Sequence, residues 1–173
     1  MLDFALQSLL VVLLILVNGF FAAAEMAVMT SSRPRLARLA AQGSPGARAA
    51  LALADNPEGL LSTLQIGVTL LTILSGAYGE ASLARYVTTL LEGVPALAPH
   101  AKALGFGLVV AAITYVSLIL GELMPKRLAI ARPEAVAVVL ARPMLVVLRL
   151  AAPLAWVLSA STRAVLRLLG VGG

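Results

Sequence analysis

Cysteine is absent from this chain of 173 residues, histidine and tryptophan occur once each, and charged residues make up only 12% of it. The missing cysteines exclude disulfide bonds and thiolate metal sites. The single histidine, His100, leaves no plausible Ser-His-Asp set, and the sequence contains neither a Walker-type phosphate loop nor a His-Glu-x-x-His motif. We therefore expect that this protein is not an enzyme.

Apolar residues are abundant, at 61% of the chain, and the mean hydropathy is +1.00. Soluble domains are about 45–50% apolar and about 25% charged. Since a helical span needs about 20 apolar residues, the length allows three or four crossings and no second soluble domain. We expect one all-α integral membrane domain over residues 1–173. The net charge of +5 does not indicate nucleic-acid binding, because the basic residues flank the apolar segments.

Three apolar segments predict membrane-spanning helices over about residues 4–29, 60–91 and 101–122. Basic residues follow the first and the third segment, which places those ends in the cytoplasm and the N terminus outside. The protein is thus predicted to be a multi-pass protein of the cell (inner) membrane. The second segment is long enough to project from the bilayer or to break, and the expected break points are Ser75-Gly76 and Gly79.

Two further helical regions are expected on the cytoplasmic side, at about residues 34–54 and 134–168. The first contains a turn-like stretch, QGSPGAR at 42–48, and Asp55-Asn-Pro-Glu58 then supplies a cap and a first-turn proline for the next helix. Residues 135–158 are apolar enough for a fourth span, but basic residues and prolines interrupt them, namely Arg142, Pro143, Arg149 and Pro153. This pattern favours a helix lying in the membrane interface, with a fourth span as the alternative.

The third segment closes with the letters ILGELMPK, residues 119–126, which overlap the end of an uncharged run of eighteen residues at 103–120. Pro125 has no N–H to donate, so the carbonyl of Gly121 is expected to lose its helical partner beside the carboxylate of Glu122. Interrupted helices at membrane depth occur where the loosened backbone lines a site or a cavity. The stretch predicts a cation site, and the alternative is an interfacial carboxylate paired with Lys126.

Other oxygen-bearing residues could complete such a site. Pro34 is expected to free the carbonyl of Thr30 next to Ser31, at the end of the first segment, and Asn18 and Glu25 share a face of that segment. On the second segment a polar stripe is expected to face inward, with ordinary helix packing as the alternative; it comprises Ser62, Gln65, Thr69, Thr72, Gly76 and Gly79.

Carboxylates, hydroxyls, amides and carbonyls are hard ligands, which suit magnesium, calcium or sodium and disfavour zinc or copper. Discontinuous helices around an ion site are typical of secondary transporters. A transporter is therefore the leading hypothesis. The alternatives are a divalent-cation channel and a membrane anchor for a cytoplasmic regulatory module.

Five motifs resemble, in order, the transmembrane domain of the CorC/CNNM (cyclin M) family of magnesium transporters. They are NGFFAAAEMA at 18–27, DNP at 55–57, QIGVTL at 65–70, SG at 75–76 and GELMPK at 121–126. The resemblance covers roughly residues 15–132, and the last motif is its most specific element. It implies three spanning helices with juxtamembrane helices, a homodimer in the lipid bilayer, and magnesium efflux driven by sodium entry.

The resemblance also implies a magnesium site in an inward-opening cavity. Its anionic ligand would be Glu122, and the further ligand candidates are Gly121, Ser75, Gly76, Glu25, Asn18 and Ser31. Full-length family members continue into cytoplasmic CBS domains that bind ATP. Those domains are absent from this sequence, so we expect the chain to be a membrane domain on which ATP acts only through such domains.

Overall fold

The computed structural model describes residues 2–168, apart from the side chains of residues 2, 3, 58, 80–82 and 159. Every regular element in this range is helical, which confirms the all-α prediction. The elements are α1 (Leu2–Thr30), α2 (Arg33–Ala41), α3 (Pro45–Asp55), α4 (Pro57–Glu92), a 3₁₀ turn (Ala98–His100), α5 (Ala101–Leu118), a π-helical turn (Ile119–Leu123), α6 (Met124–Ala131) and α7 (Pro133–Leu168).

Among the described residues, four helical stretches are long and apolar enough to cross a membrane, judged by length and composition, at residues 4–30, 59–92, 98–131 and 133–168. The first three contain the predicted spans. The fourth is α7, which continues without interruption past Pro143 and Pro153. The three-span topology, the interfacial position of α7 and the dimer stay predictions.

The second predicted span is one continuous helix. α4 passes through Ser75, Gly76 and Gly79 without a break, so the expected break is wrong. A glycine inside a helix costs only about 0.5–1 kcal/mol relative to alanine, which a long helix tolerates. Gly79 has a packing role instead, because the side chain of Ile113 from α5 occupies the place where a Cβ would stand. At about 1.5 Å per residue, α4 is longer than the roughly 30 Å hydrocarbon layer.

Short capping motifs separate α2, α3 and α4, as the turn-like stretch and the Asp55-Asn-Pro motif predict. Gly43 has a φ of 92°, a left-handed conformation that glycine adopts at no steric cost. The hydroxyl of Ser44 then accepts the N–H of Ala47 at 3.2 Å and caps α3. Asn56 caps α4 in the same way, because its Oδ1 accepts the N–H of Gly59 at 3.1 Å.

The chain groups into two compact units. Within the described residues, the first contains residues 2–23 and 67–131, and the second contains residues 24–66 and 132–168. α1 and α4 each contribute to both units. In the first unit the buried side chains come from α1, α4 and α5 and include Val11, Ile15, Ser75 and Val109.

The second unit is held together by small residues and by ion pairs. α3 packs against α7 through alanines with no exposed surface, among them Ala47, Ala50, Ala137 and Ala141. Gly46 allows the backbones to approach closely, since a Cβ there would overlap the carbonyl of Val138. The carboxylate of Glu134 accepts the N–H of Ser32 at 3.2 Å and pairs with Arg35 at 3.4 Å.

Candidate cation-binding site

The ILGEL stretch forms a π-helical turn between α5 and α6. The N–H of Met124 donates to the carbonyl of Ile119, five residues earlier, where an α-helix would use a four-residue step. A proline in a helix removes one donor and its ring collides with the carbonyl four residues before it. We attribute the wider turn to Pro125, which is buried at the start of α6. The turn places Gly121 and Glu122 at the point where the regular hydrogen bonding is interrupted.

The carbonyl of Gly121 has found a partner on another helix. The side chain of Asn18 on α1 donates from Nδ2 to this carbonyl at 3.1 Å. Its other polar atom, Oδ1, is buried and has no hydrogen-bond partner among the described residues. A buried polar atom without a partner costs about 1–3 kcal/mol, so Asn18 holds an oxygen that a bound cation or a water would satisfy.

Two glycines bring α1 and the π-helical turn into contact. A Cβ on Gly19 would stand 2.8 Å from the carbonyl oxygen of Leu120 and 3.0 Å from the ring of Pro125. A Cβ on Gly121 would stand 3.2 Å from Asn18 Nδ2. The first of these distances is too short for any larger residue without a backbone shift. The hydrogen bond from Asn18 therefore depends on the glycine that follows it.

The carboxylate of Glu122 is paired with an ammonium group from its own chain. Lys126 donates from Nζ to Glu122 Oε1 at 2.8 Å, and the side chains are 33% and 46% exposed respectively. This is the ion pair named above as the alternative to a cation site. The pair does not exclude such a site, because a half-exposed carboxylate can exchange one cation for another.

The polar stripe of α4 does not face inward, which corrects the prediction. Four of its six members are exposed hydroxyl or amide residues, Gly76 is exposed with open space around it, and only Gly79 is buried. The buried face of α4 lies to one side of the stripe. In the first unit it carries Ser75 and Gly79, four residues apart, and Ser75 is 4% exposed. Ser75 and Gly76 are thus neighbours in sequence with opposite exposure.

The remaining two candidates, Glu25 and Ser31, belong to the second unit. Glu25 is half-buried near the end of α1. Ser31 follows the last residue of α1, and its hydroxyl donates to the carbonyl of Val28 at 3.0 Å. Within the first unit, Asn18 and Gly121 are brought together and Glu122 lies next in sequence. The full ligand set stays a prediction.

No group of three or more acidic, histidine or cysteine side chains that could hold a metal occurs in the described part of the chain. At the π-helical turn a cation would have the carboxylate of Glu122 and the neutral oxygens of Asn18 and Gly121 as donors. Magnesium is commonly bound through one or two carboxylates while it keeps several waters. The chemistry of the donors fits magnesium, and it does not fit a metal that prefers nitrogen or sulfur.

The way in which these residues meet was not predicted from the sequence. Asn18 was grouped with Glu25 because they share a helix face, whereas its hydrogen bond goes to Gly121. The π-helical turn was also not anticipated. The available signal was the pair of glycines, Gly19 next to Asn18 and Gly121 next to Glu122, because glycines at matching positions of two membrane helices indicate close approach.

Four long apolar helices, with a polar cluster at an interrupted helix, define a multi-span helical membrane protein. Residues 9–173 match the family model of the cyclin M transmembrane N-terminal domain, CNNM. The chain belongs to this family, and the resemblance drawn from the motifs is confirmed.

Three relatives illustrate the extent of the similarity. The UPF0053 protein sll0260 of Synechocystis is 43% identical over 96% of this chain and 37% of its own length. The UPF0053 inner membrane protein YfjD of Escherichia coli is 28% identical over 90% of this chain and 33% of its own length. A protein of Haemophilus influenzae named polyamine export protein is 29% identical over 94% of this chain and 38% of its own length. The chain thus spans about a third of the length of these relatives.

Proposed function

We propose that the chain is the membrane domain of a magnesium transporter, which exports magnesium in exchange for entering sodium. The observation that carries this proposal is the cluster at the π-helical turn. Asn18 donates a hydrogen bond to the carbonyl of Gly121, and its Oδ1 is buried without a partner among the described residues. Glu122 follows Gly121 in the sequence. One carboxylate and neutral oxygens are a donor set that magnesium accepts when it keeps part of its water shell.

In this proposal Glu122 supplies the negative charge and Asn18 supplies a neutral oxygen. Gly121, Ser75 and Gly76 are the further ligand candidates in the first unit, and the predicted ligands Glu25 and Ser31 belong to the second. An interrupted helix near the membrane is a setting in which transporters place ion sites. The domain would act as a homodimer in the cell (inner) membrane with its N terminus outside, and ATP would act through CBS domains outside this chain.

Polyamine export is a second candidate, because one relative carries that name and because Glu122 binds a primary ammonium group in this chain. A polyamine presents several such groups along a flexible chain. The structure describes a single acidic side chain at the π-helical turn, which favours the smaller inorganic ion. A divalent-cation channel and a membrane anchor are the remaining alternatives.

Flux measurements in liposomes test these proposals against one another. The purified protein is reconstituted, and internal magnesium is followed with and without an opposing sodium gradient; a parallel sample contains radiolabelled spermidine. We expect magnesium movement that the sodium gradient accelerates. Magnesium flux without sodium coupling would favour a channel, and spermidine flux alone would favour polyamine export. If neither magnesium nor spermidine moves, the membrane anchor is the remaining alternative.

The matched variants are Glu122→Gln and Glu92→Gln. Both remove one carboxylate from the first unit, but Glu92 is exposed at the end of α4 and forms no ion pair among the described residues. We expect Glu122→Gln to abolish magnesium flux and Glu92→Gln to retain it. Full flux in Glu122→Gln would contradict the proposed site.

A further inference from the structure

The ion pair between Glu122 and Lys126 is the shortest of the three in the described part of the chain, at 2.8 Å compared with 3.1 Å and 3.4 Å for the others. A glutamate four residues before a lysine is a favourable arrangement on any helix, and many such pairs only add a little helix stability. This pair differs in its position. Its carboxylate lies in the π-helical turn, and it is the carboxylate that the proposed function assigns to the transported ion.

A carboxylate oxygen that accepts an ammonium group at 2.8 Å is less available to a second cation on the same side. Glu122 and Lys126 are both partly exposed, so the ammonium group can leave without a rearrangement of the fold. The lysine side chain is long and flexible, and its charge is a compact point charge that can move into water. Lys126 therefore has the reach and the chemistry of a displaceable cation.

We propose that Lys126 is a tethered counter-ion, which neutralises Glu122 when no ion is bound and which the transported cation displaces. The inference rests on the proposed function, since it concerns the same carboxylate. It gives Lys126 a role in setting ion affinity: any cation that binds Glu122 must compete with an ammonium group that is always present. The lysine also prevents the carboxylate from remaining unpaired near the membrane, which would be costly.

Chemical labelling of the two lysines tests the displacement directly on the unmodified protein. The sequence contains Lys102 and Lys126 and no other lysine, and Lys102 is exposed at the start of α5. The protein is acetylated briefly with an N-hydroxysuccinimide ester at increasing magnesium concentrations, and the label on each lysine is quantified by mass spectrometry. Magnesium binding is measured on the same preparation by calorimetry.

We expect magnesium to raise the labelling of Lys126 relative to Lys102, with a midpoint equal to the dissociation constant for magnesium. Glu122→Gln should raise the labelling of Lys126 without magnesium and remove the response to it. If magnesium binds by calorimetry while the labelling ratio stays constant, the proposed function survives and the tethered counter-ion is overturned. If magnesium does not bind at all, both proposals fail.

Substitution of the lysine gives an independent measurement. Lys126→Met keeps the apolar stem and removes the competitor, so we expect magnesium to bind about two- to fivefold more tightly, as loss of one partly exposed competing pair implies. Lys126→Arg should bind like the natural protein. Arg127→Met is the matched control, because Arg127 is an exposed neighbouring cation without an ion pair among the described residues. Equal tightening in Arg127→Met, or none in Lys126→Met, contradicts the proposal.

Discussion

Two prolines interrupt helices of this chain with different results. Pro34 and Pro125 each lack the N–H that the carbonyl four residues earlier would use. At Pro34 the helix stops: α1 ends at Thr30 and α2 begins at Arg33. At Pro125 the helix continues through a π-helical turn into α6.

The difference lies in what satisfies the backbone. Around the first proline, the hydroxyl of Ser31 donates to the carbonyl of Val28 at 3.0 Å, and the N–H of Ser32 donates to Glu134 Oε1 at 3.2 Å. Around the second, the partner is Asn18, 103 residues away along the chain. At the first proline the tertiary partner accepts an N–H at the start of a new helix. At the second it donates to the carbonyl of Gly121, which the proline leaves without its helical donor, and the helix continues through an irregular turn. The proline alone therefore predicts a disruption and not its kind.

The largest effect is expected when the contact that supports the second proline is lost. Gly19→Ala places a Cβ 2.8 Å from the carbonyl oxygen of Leu120, so the backbone must shift, and we expect a loss of about 1–3 kcal/mol. The measurement is thermal unfolding in detergent followed by circular dichroism. Gly107→Ala is the control, because no atom lies within 4 Å of its Cβ position, and it should be neutral or stabilise by up to about 1 kcal/mol.

Loss of the tertiary hydrogen bond should cost less. Asn18→Ala removes the donor to Gly121 together with the unpartnered Oδ1, and we expect destabilisation of about 1–2 kcal/mol. Ser31→Ala removes only a local bond at the other proline and should stay within about 0.5 kcal/mol. The same unfolding experiment compares them, and equal losses would show that the two prolines are supported in the same way.

A double-mutant cycle sharpens the comparison further. Pro125→Ala restores an N–H near the carbonyl of Gly121, which then depends less on Asn18. We expect Asn18→Ala to cost less in the Pro125→Ala background than in the natural protein, with a coupling energy of about 0.5–1.5 kcal/mol. The corresponding cycle between Pro34 and Ser31 should show no coupling. If the effects of Asn18→Ala and Pro125→Ala are additive, the two residues do not act on the same carbonyl, that of Gly121.

The smallest effect is expected for the exposed charges beside the first proline. Arg33 pairs with Asp55 at 3.1 Å, and the two side chains are 62% and 66% exposed. Asp55→Asn should therefore cost only about 0.2–1 kcal/mol, and concentrated salt should remove the difference from the natural protein. Unfolding in low and high salt measures it. A loss that persists in high salt would indicate a role beyond this pair.

Local sequence patterns predicted most of the helices, but they did not predict the tertiary contacts between them. The turn at Gly43, the cap at Asn56 and the disruption at Pro125 follow from residues that act on their own neighbours. The orientation of α4 was predicted wrongly, because polarity was taken as the mark of the inner face. Its buried side carries Ser75 and Gly79, which are small enough for close packing, and the exposed hydroxyls of Thr72 and Thr89 bond to their own helix.

The bond between Asn18 and Gly121 could not be derived from spacing, because nothing in either segment determines the register of one helix against the other. The glycine pair narrows the choice of register but does not fix it. The ion pair of Glu122 was within reach of sequence reasoning, since it joins residues four apart, and it was named there as an alternative.

The wide turn at residues 119–123 also changes how the sequence around it should be interpreted. A π-helical turn contains about one residue more than an α-helical turn, and one residue corresponds to a rotation of about 100° around the axis. Side chains of α5 and α6 that a regular helical projection assigns to one side are therefore displaced by more than a quarter of the circumference. A helical-wheel projection of this region, or a substitution scan interpreted with one, should therefore treat α5 and α6 separately and start a new register at Met124.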